Sequence, residues 1–474
     1  MRRINYISRE SVTYTQTALP HLHCNVVPVE LNDVTIHERK KKILKKMECE
    51  GYDTLLIYGD REHGSNFSYL MGFTPRFEEA LLVLQKDGSA SVMLGNEMLR
   101  MADYSRIAVK AIHTPHFSLP DQPMETTKSF QELLKEAGVN SGKTVGIVGW
   151  KLQNDQYDPE NQMFDVPYFI VQAVMEVVGQ EYVRNGTGLF VRAFDGVRTL
   201  VNANEIAFYE YGSSLASVGV GMLLEKLEIG KTELELAGYL ENCGQPNTVQ
   251  TICASGHRFT KGCVAPRNKN LSKGERFTMT VGYRGGLTNR TGYLAFSEDD
   301  LPESEKDYME KVAIPYFSAM ASWYSSVGIG IRGGEIYRLM EEIIPKEMFG
   351  WSLNPGHYTS DEEWVSSPFK PDSEIVLNSG MLLQMDIILK VSGYGGCNAE
   401  DGVVLMDEIL QRQVEKNYPS TWHRLVQRKR YMKDVLGIVM KDEVFPMSDL
   451  CGYVRPFLLE RTKALQVRKQ AIGV

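Results

Sequence analysis

The sequence predicts an α/β domain followed by an α+β domain. Short apolar runs alternate with amphipathic stretches as far as Val148, the pattern of helices layered on a sheet. Beyond Val197 long helical patterns and separate strands follow one another instead, which fits α+β. The 474 residues, 43% of them apolar, suffice for two or three buried cores.

In chain order, residues 1–34 lack periodicity and read as an N-terminal arm lying over a surface or a partner subunit. Thr35 with Glu38 offers a capping box, and Ile43, Leu44 and Met47 among lysines make the stretch to Glu50 an amphipathic helix, closed by Gly51. Thr54–Tyr58 reads as a buried strand, and Ala80–Leu84 and Ser91–Leu94 as strands joined through the Asp87-Gly88 turn. Ser129–Ala137 is helical and Thr144–Val148 is a further strand, completing a domain over 35–196 with its boundary inside Phe194–Asn202. Asn204 is a candidate N-cap for a helix over Glu205–Leu227, and a second helix starts at Thr232. Phe277–Val281, Met381–Ile388 and Gly402–Met406 read as strands, and Glu303–Tyr324 and Gly334–Ile344 as helices, in a domain over 197–407. The extension 408–474 carries a basic helix with Arg424, Arg428, Lys429, Arg430 and Lys433, read as a solvated face.

Composition removes several function classes. With 52 Lys+Arg against 60 Asp+Glu, the net charge of −8 lacks the basic footprint of a nucleic-acid binder. No run approaches about 18 apolar residues, so no membrane span is expected. No apolar segment follows Arg2-Arg3, so no signal peptide is expected. Seven scattered cysteines without CxxC point to free thiols and a cytoplasmic protein.

Six segments then line up with one family. They are Asn66–Phe73 with Glu79–Leu82, Val197–Leu200 running to Glu205-Ile206, Gly230–Glu233, Pro355-Gly356-His357, Gly380–Asp386 and Glu400–Val403. In this order they resemble the creatinase/Xaa-Pro aminopeptidase (prolidase-like) family. The resemblance implies a pita-bread catalytic-type domain behind an α/β N-terminal domain, a homodimer, and a small-molecule or dipeptide-like substrate.

It also implies five metal-ligand positions, in the peptidases two Asp, one His and two Glu. Here these positions are Thr280, Asn289, His357, Asp386 and Glu400. Two adjacent divalent ions need about four carboxylate charges. Asp386 and Glu400 supply two, so the site is degenerate and no metal pair is expected; one divalent metal at His357, Asp386 and Glu400 is the alternative. The family's second His falls near Trp364.

Creatinase resembles this pattern, keeping the fold without metals. By that analogy Asp386 and Glu400 hold a cationic part of the substrate, and His357 or His257 moves the proton. Arg290 either holds a substrate carboxylate or neutralises Asp386 or Glu400. Arg76 reaches a neighbouring subunit's pocket or is a solvated loop residue. Cys263 has no identifiable activating partner. Gly328-Ile329-Gly330-Ile331-Arg332-Gly333 matches G-x-G-x-x-G by letter but follows a helix, so the dinucleotide reading fails.

The expected function is a metal-independent hydrolase cleaving a C–N bond in a small amino-acid-like or guanidino substrate. The alternatives are a metallopeptidase-like (Xaa-Pro) or lyase enzyme with a single metal, and a non-catalytic homologue that binds a small molecule or peptide.

Overall fold

The structure, a computed structural model, describes residues 4–124, 127–153, 156–241 and 244–468. The chain divides into two compact units, Leu31–Thr199, and Met1–Glu30 together with Leu200–Val474.

Strand β1 (Val12–Gln16) belongs to the second of these units. The Leu31–Thr199 unit is a six-stranded mixed sheet of β2 (Thr54–Gly59), β3 (Ala80–Gln85), β4 (Ala90–Leu94), β5 (Lys110–His113), β6 (Val145–Val148) and β7 (Val183–Asn185), in the order β5-β4-β3-β2-β6-β7. Strands β2, β3, β4 and β6 are apolar and almost wholly buried, as expected of strands covered on both faces. The helices Phe130–Glu136 and Tyr168–Val178 pack their apolar sides onto the core around Leu56, Val83 and Ile147. The first helix spans Asp33–Glu50 and is capped by Asn32, whose side chain accepts from Thr35 N, rather than by Thr35. Thr35 itself is buried within that first turn.

The second unit is built on an antiparallel sheet in the order β11-β12-β13-β10-β9-β8, with β14 on the other side of β13. Its strands are β8 (Ile252–Ser255), β9 (Arg276–Tyr283), β10 (Gly286–Tyr293), β11 (His357–Tyr358), β12 (Leu382–Met385), β13 (Ala399–Leu405) and β14 (Val444–Pro446). Strand β10 has no counterpart in the sequence reading, because Gly286–Tyr293 mixes Gly, Thr and Asn and lacks an apolar run. The tight turn that makes the hairpin rests on Gly285, whose φ of 97° and close approach to Tyr209 O (2.2 Å from an added Cβ) exclude a side chain.

Helix ends also differ from expectation. The long helix runs Ala203–Lys226 with a capping box between Asn202 and Glu205, and Asn204 instead donates its side chain to Glu30 O at 3.0 Å. The stretch from Glu303 is not one helix: a 3₁₀ turn (Glu303–Glu305) and a π turn (Met309–Ala313) precede the α-helix Ile314–Ser326. Pro315 lies at the start of that α-helix, where its missing N–H does no damage; in the middle of a longer helix it would break a hydrogen bond.

Residues before Glu30 and after Asp407 are integral to this unit. Strand β1 pairs antiparallel with β15 (Lys463–Val467), and the backbone N–H groups of Asn5 and Ile7 donate to Ser326 Oγ and Ser322 Oγ of the Ile314–Ser326 helix. The basic helix Pro419–Asp434 is not a uniformly solvated face. Arg428 is buried between Glu210 (2.7 Å) and Asp449 (2.6 Å), and Arg424 also engages Glu210, since those carboxylates could not stay buried unpaired. The six cysteines among the described residues form no disulfide, and Cys243 lies outside them. No helix among the described residues is long and apolar enough to cross a membrane.

Candidate active site

Strand register gathers the site. Thr280 on β9 faces Asn289 on β10, and Asn289 faces Glu400 on β13. Met385 pairs with Asp401, so Asp386, one step further, comes opposite Glu400. His357 on β11 faces Gln384 on β12, two residues from Asp386 and therefore on the same side. Residues directly opposite across antiparallel strands share a face. All five positions from the family resemblance thus lie on one side of one sheet.

The cluster is buried and anionic. His357 Nε2 lies 2.9 Å from Glu363 Oε1, 3.6 Å from Glu400 Oε1 and 3.9 Å from Asp386 Oδ2. His357 is fully buried, Asp386 4% exposed and Glu400 8% exposed, so solvent does little to separate their charges. The ring is fixed from two directions. Nδ1 lies 3.1 Å from Tyr358 O, and the Trp364 indole stacks on the imidazole with centroids 4.2 Å apart. Gly356 precedes the histidine with φ 120°, and a Cβ there would sit 2.6 Å from Gln384 O, so only glycine lets β11 approach β12 this closely.

Protonation follows from these contacts. Burial pushes His357 toward its neutral form, but Glu363, Glu400 and Asp386 outweigh burial and hold the imidazole well above its usual value. Burial pushes the Asp386 carboxyl up to about 7, with His357 opposing and Glu363 adding to the rise. Burial and the neighbouring Asp386 raise Glu400 strongly.

The other candidates separate. Asn289 Nδ2 donates to Thr280 Oγ1 at 2.5 Å, so this neutral pair satisfies itself where the resemblance implies two aspartates. Arg290 does not serve the pocket. Strand alternation turns it to the opposite face from Asn289, where it pairs with Asp401 at 2.6 Å and donates to Tyr453 O, and both ionic partners are buried. Its alternatives of holding a substrate carboxylate or neutralising Asp386 or Glu400 are replaced by this pairing. His257 is exposed on the 3₁₀ turn Gly256–Lys261, and no contact joins it to the His357 cluster. Arg76 and Cys263 are exposed.

Glu363 was missed by the sequence reading. A run of Asp361, Glu362 and Glu363 before Trp364 looks like a solvated loop, and only its place just after the Gly-His motif could have flagged it. Its neighbour Asp361 is buried against Tyr209 Oη at 3.1 Å and lies 3.7 Å from Arg284.

Two divalent ions do not fit this donor set, because the Thr280–Asn289 half of the row carries no charge. One ion does fit. One donor atom each from His357, Asp386 and Glu400 lies within 4.8 Å of the others, and His357 Nε2 and Glu400 Oε1 are buried without an aligned hydrogen-bond partner.

Residues 39–165 match the Creatinase/Prolidase N-terminal domain family. Among solved structures, the prolidase from Pyrococcus horikoshii OT3 matches with a TM-score of 0.60 at 20% identity, over 78% of this chain and 95% of that one. The chain's fold is the creatinase/prolidase fold. The Xaa-Pro dipeptidase from Bacillus anthracis matches at 17% identity and TM-score 0.58, over 79% of this chain and 96% of that one. The X-Pro aminopeptidase from Thermotoga maritima MSB8 matches at 14% and 0.57, over 78% and 95%. A search of curated protein sequences finds no match. The creatinase/prolidase fold places the pita-bread sheet in the Leu200–Val474 part and the matched N-terminal domain in Leu31–Thr199.

Proposed function

We propose that this chain is a hydrolase that cleaves a C–N bond in a small peptide-like or amino-acid-like substrate, working without a pair of metal ions. The observation that carries this reading is the convergence of His357, Asp386 and Glu400 on one sheet face, beside a neutral Thr280–Asn289 pair. His357 Nδ1 is held against Tyr358 O, which leaves Nε2 as the atom that carries a proton toward or away from the cluster. The neighbouring carboxylates raise that imidazole above its usual value, so it is suited to hold a proton and give it to a leaving nitrogen. Asp386 and Glu400 hold positive charge developing or arriving beside it.

A second reading is favoured by His357 Nε2 and Glu400 Oε1, buried without an aligned hydrogen-bond partner: one divalent ion held by His357, Asp386 and Glu400. When bound, such an ion would supply Lewis acidity and a more acidic water. A homodimer belongs to either reading, and a monomer by light scattering at micromolar concentration would remove it.

The test is turnover of Xaa-Pro dipeptides, amides and guanidino compounds, with and without chelator, alongside metal analysis. Activity that survives chelation and disappears in His357→Ala supports the first reading. Activity that tracks one equivalent of metal supports the second, and two equivalents per chain refute both.

A further inference from the structure

We propose that Glu363 selects substrates that carry a positive charge. The inference rests on the reading of the His357 cluster as the reaction centre, but it concerns a residue that the ligand positions do not include.

Four groups meet at the cluster, and three are shut away from solvent. The Glu363 side chain alone keeps 22% of its surface exposed, against 0% for His357, 6% for Asp386 and 11% for Glu400. Glu363 therefore stands where a molecule arriving from solvent meets the cluster first. Its carboxylate touches His357 at 2.9 Å, and no lysine or arginine pairs with it among the described residues. Trp364, the next residue, lays its indole against the same imidazole. A carboxylate beside an aromatic ring is a good receptor for an ammonium or guanidinium group, through a charged hydrogen bond and ring contact together. A neutral group of equal shape gains neither.

The experiment compares butylguanidinium with butylurea, which match in shape and differ in charge, by calorimetric titration of the full chain. Wild type is expected to bind the cation at least ten-fold more tightly. Glu363→Gln should reduce that preference roughly ten-fold, and Glu363→Asp, which keeps the charge, should retain most of it. Thermal unfolding of each variant confirms that the fold is kept. Equal preference in wild type and Glu363→Gln overturns the proposal, as does a wild type that binds both probes alike. If Glu363 sets the preference but no C–N substrate is turned over, the selection stands and the hydrolase reading falls.

Discussion

Returning carboxylates to Thr280 and Asn289 tests the charge argument directly. The two side chains touch at 2.5 Å and face each other across β9 and β10, with Glu400 next in the row. In Thr280→Asp/Asn289→Asp, two carboxylates would stand about 4 Å apart, and at that distance like charges repel by about 4 kcal/mol at an effective dielectric of about 20. The lost amide–hydroxyl bond adds about 1 kcal/mol. At pH 8 with chelator the double variant should therefore unfold roughly 10 °C below wild type. With Asp386 and Glu400 it then owns four carboxylates, enough for a pair of divalent ions. Manganese, cobalt or zinc should restore the melting temperature and bind near two equivalents per chain, while wild type takes at most one. Each single variant lacks the pair repulsion and should lose no more than about 1 kcal/mol, or about 2–4 °C. A double variant that melts with wild type in chelator and takes up no additional metal would refute the reasoning.

Three further outcomes follow from the same geometry. His357→Ala should lower kcat well below wild type with a smaller change in KM, because it removes a proton carrier rather than a binding contact; steady-state kinetics on any substrate found reads this. Asp386→Asn should weaken binding of a cationic ligand yet raise stability at pH 8: a buried carboxyl raised from 3.8 to about 7 favours the fold below 3.8, and that advantage is lost as pH climbs through 7. Chemical denaturation at pH 4 and pH 8 should show the gain only at the higher pH. Asp449 behaves oppositely. Burial works against its charge, but Arg428 and His23 pull it down from 3.8 to about 2, so its contribution is complete above pH 4 and lost as pH falls through 2. Asp449→Asn should cost about 2 kcal/mol at neutral pH, and acid titration of unfolding should show that difference closing below pH 4.

The site was legible where chemistry and spacing coincide. Pro355-Gly356-His357, Asp386 and Glu400 sit in ordered segments, and the structure gathers all three at one point. Arg290 was illegible because its role depends on strand alternation along β10, a strand whose polar, Gly-containing sequence gives no period of two. Glu363 escaped for a different reason: a carboxylate in an acidic loop carries no sign of burial, and only tertiary packing brings it to His357. Arg428 looked like one cation among several on a solvated helix. Its partners Glu210 and Asp449 come from distant parts of the chain, so the sequence around it could not reveal its burial. Local polar chemistry also shifted helix starts, with Asn32 and Asn202 capping ahead of Thr35 and Asn204.

The pairing of β1 with β15 has a consequence for biosynthesis. Thr17 and Ala464 meet across 447 residues, so the opening strand waits for nearly the whole chain to leave the ribosome before it finds its partner. The Leu31–Thr199 unit is continuous in sequence and can collapse during synthesis, whereas its companion closes last, with an unpaired strand edge held open meanwhile. Tyr14 and Thr15 are thus the residues a nascent-chain chaperone would need to shield longest, and stalling translation before Lys463 should leave them open to protease while the Leu31–Thr199 unit resists it.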